Sequence, residues 1–144
     1  MLNSVKWLAT GGAVILVVGM GIALFARCDD TDADAERTVT SLYDAIARGD
    51  YETAAGFYHP DLIATNGGRN DFIAGLKSIN GKLGQRLGGH RTGGGVRQGG
   101  DSGADLTYAG EYENGDAIEV FRLVRVADEY LITAHTYQSD VLPR

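Results

Sequence analysis

The sequence predicts an α+β fold: an N-terminal transmembrane helix, then a helical hairpin and a third helix packed on an antiparallel sheet. Three observations carry this expectation. Trp7–Ala26 holds no charged residue and is as long as the ~20 residues a helix needs to cross the hydrocarbon core. Between Asp34 and Leu83 apolar residues recur at helical spacing three times. From Leu106 onward the period changes to two, with Asn114-Gly115, a strong hairpin signal, between two runs of strand character.

Lys6 precedes the apolar run and Arg27 follows it, ahead of an acidic stretch. The expected topology is therefore a cytoplasmic start (1–6), a membrane-spanning segment (7–27) in the inner membrane and an exported remainder. Three fates compete for the segment. An uncleaved anchor is expected, because the run is long, uniformly apolar and preceded by little charge. Cleavage after Ala26 would secrete the domain, with Leu24 where a small residue is usual. Acylation of Cys28 would give a lipoprotein, against which Arg27 stands where such signals resemble one another in carrying a small residue. Cys28 is the only cysteine, so no internal disulfide forms and the domain must hold together by packing. Asp29–Glu36 carries five carboxylates in eight residues and reads as a hydrated linker (28–36) leading into a domain at 37–144.

The chain has 144 residues, enough for one domain with a real core. Its formal charge of −6 argues against a general nucleic-acid binder, which needs a basic footprint to neutralise phosphates.

In the first helix Val39, Leu42, Tyr43 and Ile46 fall at i, i+3, i+4 and i+7. Gly49 suits the left-handed turn that ends it, and Asp50 suits the N-cap of the next. Tyr51, Ala54, Ala55 and Tyr58 continue the buried stripe until Pro60, which lacks an N–H and disfavours helix at His59. His59 is read as a capping or packing residue of that turn. Leu62–Thr65 suits a brief strand, closed by Asn66, Gly67 and Gly68. A third helix is expected from about Asn70, with Phe72, Ile73, Leu76, Ile79 and Leu83 on one face. Residues 84–103, rich in glycine, read as a loop or a frayed edge strand. The five Lys and Arg residues between Phe72 and Gly100 face no local carboxylate, which suits contact with anionic surfaces or, more simply, solubility.

Leu106, Tyr108 and Tyr112 alternate with Asp105, Thr107, Glu111 and Glu113, as in a half-buried strand. Ala117–Val126 is a second strand and, after a turn at Asp128 and Glu129, Tyr130–Ser139 a third. A two-residue turn at Asn114-Gly115 would set Tyr112 opposite Ala117, Tyr108 opposite Phe121 and Leu106 opposite Leu123, facing the helices. The other side would show Ile118, Val120, Val124 and Val126 with Arg122. That strip is too apolar to leave in water, and a second copy of the chain or a strand from the Gly-rich segment is expected to cover it.

The segments Leu42-Tyr43-Asp44-Ala45-Ile46, Gly49-Asp50-Tyr51-Glu52-Thr53-Ala54 and Phe57-Tyr58-His59-Pro60-Asp61-Leu62, followed by a third helix and a C-terminal meander, resemble the nuclear transport factor 2-like superfamily. The resemblance covers about residues 35–140. It implies a curved sheet wrapped over three helices, a cavity at the wide end and frequent dimers through the sheet. Members include small isomerases, cyclases, dehydratases and pocketless binding modules, so the fold does not select a function. The Gly-rich stretch stands where the family has a long strand, so a short sheet is expected there.

No catalytic constellation stands out. Tyr43, Tyr58, Tyr108, Tyr112 and Phe121 are the candidate lining of a pocket, yet an inward-facing acid is not apparent: Asp105, Glu111 and Glu113 alternate away from the tyrosines. Arg122 and His135 would lie opposite each other as a polar site on the outer face if both turns had two residues. Three histidines without ligand spacing make no metal site. The spacing from Gly75 to Gly81-Lys82 is one residue too long for a phosphate-binding loop, and Leu83 replaces its Ser or Thr. The expected function is a single-pass, extracytoplasmic, non-catalytic module of a bacterial envelope, without cofactor, binding a protein partner or a small apolar ligand. The competing expectation is a cofactor-free isomerase, cyclase or hydrolase, recognisable by a desolvated carboxyl or His135 inside a pocket.

Overall fold

The computed structural model describes residues 32–97 and 102–143. The expected transmembrane run and Cys28 lie outside the described residues, among which no helix is long and apolar enough to cross a membrane. The fold is that of the unit Asp34–Arg144. It is α+β, with four helices among the described residues and one four-stranded antiparallel sheet.

Helix α1 spans residues 32–47, so the acidic stretch is not all linker. Ala35 extends the buried stripe of Val39, Leu42 and Ala45 one turn back, and two of the acids are tied down: Asp34 pairs with Arg37 at 2.6 Å and Glu36 with Arg91 of the sheet. Gly49 is left-handed (φ +70°) as expected. Asp50 accepts from Thr53 N at 3.1 Å and caps α2 (Tyr51–Ala55).

Residues after Pro60 form a helix, α3 (Pro60–Thr65), rather than the expected strand. Proline that stops one helix is well suited to the first turn of the next, and His59 caps it by accepting from Asp61 N at 3.2 Å. The connector ahead of it docks on the sheet instead: His59 N donates to Ile132 O at 2.8 Å and Ile132 N to Phe57 O at 2.9 Å. Helix α4 (Arg69–Leu83) starts after Gly68 and buries Ile73, Leu76 and Leu83.

The sheet runs in the order β1 (Arg86–Arg97), β2 (Gly103–Tyr112), β3 (Ala117–Val126), β4 (Glu129–Gln138). The Gly-rich segment is thus a twelve-residue edge strand, neither loop nor short. Its glycines serve the ladder: Gly94 is left-handed, and a Cβ there would run into the carbonyl of Asp105.

The β2–β3 connection has four residues, Glu113–Asp116, and pairs Leu106 with Phe121 and Ala104 with Leu123, two residues away from the tight-turn register. The loop residues are committed elsewhere. Asn114 donates from N and Nδ2 to the carbonyls of Leu83 and Lys82, capping α4. A shift by two preserves the faces, so Leu106, Phe121 and Leu123 point to the helices, where they are fully buried.

The β3–β4 turn lies at Ala127-Asp128, with Ala127 left-handed, and a bulge follows at Thr133. Phe121 therefore stands opposite His135, and Arg122 opposite Ala134. Relative to the expected register this is an odd shift, which moves His135 to the inner face.

Candidate functional site

Glu119 sits at the centre of the inner face, between Tyr108 of β2 and Tyr137 of β4, and is 0 % exposed. Space for it comes from Gly110, where a Cβ would lie 2.7 Å from the Tyr112 ring and 3.1 Å from Glu119 Oε1. Both carboxylate oxygens are engaged. Tyr112 Oη donates to Oε1, and His135 Nε2 lies 2.9 Å from Oε2. The other ring nitrogen of His135, Nδ1, is 2.8 Å from Tyr58 Oη.

The protonation pattern follows from burial. Desolvation pushes the phenols of Tyr58 and Tyr112 well above their ordinary range, and the Glu119 carboxylate adds to the shift, so both remain donors. Desolvation holds the His135 imidazole below its ordinary value, against the opposing pull of Glu119, which keeps the ring neutral. With Tyr58 donating to Nδ1, the proton of His135 is assigned to Nε2, where Glu119 accepts it. The result is a chain Tyr58–His135–Glu119–Tyr112 in which each named group is satisfied by the next.

Aromatic rings enclose this chain. Phe121 and Tyr137 lie on His135 with ring centres 3.9 Å and 4.1 Å away, and Tyr43, Tyr108 and Phe121 meet edge to face at about 6 Å. The five aromatic candidates Tyr43, Tyr58, Tyr108, Tyr112 and Phe121 are thus brought together, around a filled interior. Two clefts reach it from outside. A groove of about 390 Å³ between α4 and β4 is lined by Tyr58, Phe72, Leu76, Ile79, His135 and Tyr137, with Asn66 and Asp71 among its polar lining, and a cleft of about 370 Å³ by Tyr43, Tyr51, Lys77, Arg86 and Tyr112.

Arg122 and His135 do not form a site together. Arg122 is on the outer face, its Nε 3.1 Å from Asp105 Oδ1, whereas the side chain of His135 is 4 % exposed inside. Ile118, Val120 and Val124 do share the outer face; Ile118 and Val120 are 40 % and 41 % exposed, and Val124 is half-buried. Among the described residues no group of three His, Cys, Asp or Glu side chains could hold a metal ion.

Glu119 was the acid that the alternation of β2 did not supply. The signal lay in β3: Ala117, Glu119, Phe121 and Leu123 share one parity, so placing Phe121 inward places Glu119 there too. No protein-family model, no curated protein and no solved structure matches the chain.

Chemically the arrangement contains the parts of a proton-abstraction site: a buried carboxylate, an imidazole and phenols beside an apolar groove. Its connectivity works against that use. Glu119 does not reach the groove surface, and both nitrogens of His135 are occupied.

Proposed function

We propose that residues 34–143 form a non-catalytic binding domain of the nuclear transport factor 2-like kind, tethered outside the cytoplasm of a bacterium by the segment 7–27 and holding a small apolar ligand in the α4–β4 groove. One observation carries the reading. The polar chain behind the groove is closed on itself, Tyr58 to His135 to Glu119 to Tyr112, so neither nitrogen of His135 and neither oxygen of Glu119 is left unbonded, and the groove's other carboxylate, Asp71, is exposed to water. A general base must reach the proton it removes, whereas a binding site needs only a shaped apolar wall. Phe72, Leu76 and Ile79 supply that wall. The uncharged Trp7–Ala26 run supports the tether, and the helix order with a long β1 supports the family reading.

Gly75 provides the test. It lines the groove, has open space at its Cβ position and lies within α4, so Gly75→Leu fills the groove while improving helix propensity. The neutral probe N-phenyl-1-naphthylamine is expected to show saturable fluorescence enhancement with the full-length chain in nonionic detergent, and Gly75→Leu to abolish it without lowering the melting temperature. Equal enhancement in both proteins refutes the groove as the site. For the tether, a reporter fused after Arg144 is expected to be active only outside the cytoplasm, and activity inside overturns export.

One observation favours the isomerase reading: His135 and Tyr58 both touch the groove, so a substrate hydroxyl or enol could replace Tyr58 at Nδ1. Deuterium uptake at the α-carbon of 2-tetralone in heavy water, lost in His135→Gln, would move the assignment to that class.

A further inference from the structure

Among the described residues three buried side-chain polar atoms lack a hydrogen-bond partner: Tyr43 Oη, Arg86 Nε and Arg97 Nε. The third lies 3.5 Å from a carboxylate oxygen of Asp105. The other two belong to residues lining one cleft, which shares no lining residue with the α4–β4 groove. Such orphaned groups are rare in native proteins and call for a partner.

Arg86 is held there by the fold. Its guanidinium lies over the Tyr43 ring, 4.1 Å from the ring centre, and occupies the space that a side chain at Gly89 would take. The bulge between Arg86 and Gly88 sets this direction. Arg86 makes no ion pair among the described residues; it acts on Tyr112 both by its charge and by a side-chain hydrogen-bond contact, and the Tyr112 hydroxyl itself donates to Glu119. Lys77, an exposed residue of α4, places a second cation at the cleft, with Nζ 5.6 Å from the Tyr51 ring. Ile46 adds apolar wall. Of the nearby acids, Glu119 has both oxygens bonded and Glu113, beside the cleft residues Gly84 and Gln85, accepts from Gln85 N at 2.8 Å, while Arg86 and Lys77 place two cations at the space.

We infer that this cleft binds a small organic carboxylate, with the Arg86 guanidinium donating to its oxygens, Lys77 adding charge, and Ile46 and Tyr51 contacting its apolar part. The planar fork of arginine matches a carboxylate in two-point contact, and a volume of about 370 Å³ accommodates a single-ring acid. This site is separate from the groove proposed above and stands or falls independently of it.

The test is a titration of the full-length chain in nonionic detergent with benzoate, following the Nε–H resonance of Arg86. A saturable shift is expected, with none from benzyl alcohol, which has similar size and no charge. Loss of a charge-assisted contact in Arg86→Gln is expected to weaken binding about ten-fold or more. Tyr43→Phe removes an enclosed hydroxyl that interacts with Glu119 and keeps the ring under Arg86, so benzoate affinity is expected to stay within about two-fold of wild type, and loss of binding there overturns the inference. Lys77→Gln, at an exposed position, reads the charge contribution if Arg86→Gln fails to fold, and is expected to weaken benzoate a few-fold. Absence of a saturable shift, equal affinity in Lys77→Gln and wild type, or displacement of benzoate by an equal concentration of inorganic phosphate overturns the inference.

Discussion

Replacing Glu119 by Leu isolates the energetics of the buried chain. The side chains are similar in size, so the change removes a carboxylate without opening a large cavity. It strands two donors: Tyr112 Oη and His135 Nε2–H lose their acceptor in a place where water does not reach, Glu119 being fully buried and the His135 side chain 4 % exposed. An unsatisfied buried donor costs about 1–3 kcal/mol, giving roughly 2–6 kcal/mol for the pair. That is a large part of the roughly 5–15 kcal/mol by which domains are stable. Removing the remaining polar members as well should reverse much of the loss. In the combined variant Tyr58→Phe, Tyr112→Phe, Glu119→Leu and His135→Phe no donor or acceptor of the chain is left unpaired, and an apolar substitute for a whole buried network is often neutral. The assay is urea unfolding followed by circular dichroism, comparing midpoints at unchanged slope. A single Glu119→Leu within about 0.5 kcal/mol of wild type refutes the reasoning. So does a combined variant as unstable as the sum of the four single changes, because additivity would mean the groups do not act together.

Stability should fall on mild acidification. The imidazole of His135 has its affinity for protons lowered by burial, so between its folded value and about 6.5 the unfolded chain binds a proton that the native state does not; stability is complete above that window and declines by up to about 1.4 kcal/mol per pH unit as pH drops through it. Thermal melts across this range should show the slope diminished in His135→Gln, and an unchanged slope counts against it. At the alkaline end the phenols of Tyr43, Tyr58, Tyr112 and Tyr137 all have raised values, mainly from desolvation, so above about pH 10 the native state retains protons that the unfolded chain releases. The four together give a limiting loss of roughly 5 kcal/mol per pH unit; tyrosinate absorbance should appear together with loss of circular dichroism, and its appearance in a still-folded chain contradicts the burial argument. Gly110→Ala should cost about 1–3 kcal/mol, since its Cβ meets the Tyr112 ring and Glu119 Oε1, and a melting temperature equal to wild type would show that the ring can move away. If the outer strip is covered by a second copy, sedimentation of the full-length chain in detergent should give a dimer that Val120→Glu converts to monomer, whereas a monomer in both cases rejects self-association there.

Much of this fold is legible from local chemistry. Gly49 and Asp50 declare the break between α1 and α2 because one takes the left-handed turn and the other supplies an acceptor, and both act so in the structure. The α4 stripe and the inner parity of β2 and β3 follow from period alone. Three features depend on partners distant in sequence. Ala35 looks like linker until the sheet covers it. β1 has poor intrinsic propensity for a strand, yet pairing with β2 along its length overrides this, and its bulges need glycine. The β2–β3 loop forgoes the tight Asn-Gly turn because Asn114 is drawn to the end of α4. The candidate site suffered most, since its composition hangs on the parity of β4 at His135, and that parity is set by the bulge at Thr133, which no glycine announces; the turn at Ala127-Asp128 by itself shifts the register by an even step.

The same parity gives the buried acid a role that needs no substrate. In the register with His135 outward, Glu119 would remain on the inner face, because its own direction is fixed by Phe121 and Leu123, but it would lose the donor to Oε2. His135 in turn would exchange Phe121, Tyr137 and Tyr58 for solvent. The observed register is therefore favoured by a polar contact as well as by apolar burial, and the bulge at Thr133, whose Oγ1 donates to Arg122 O at 3.2 Å, absorbs the extra residue it requires. Strands with apolar residues on both faces discriminate weakly between neighbouring registers, and β3 carries Phe121 and Leu123 inward and Ile118, Val120 and Val124 outward. A carboxylate that is costly in the interior without its imidazole raises the penalty for the wrong pairing. On this argument the all-apolar variant should recover stability yet lose uniqueness, with hydrogen exchange in β4 faster than in wild type at equal unfolding free energy.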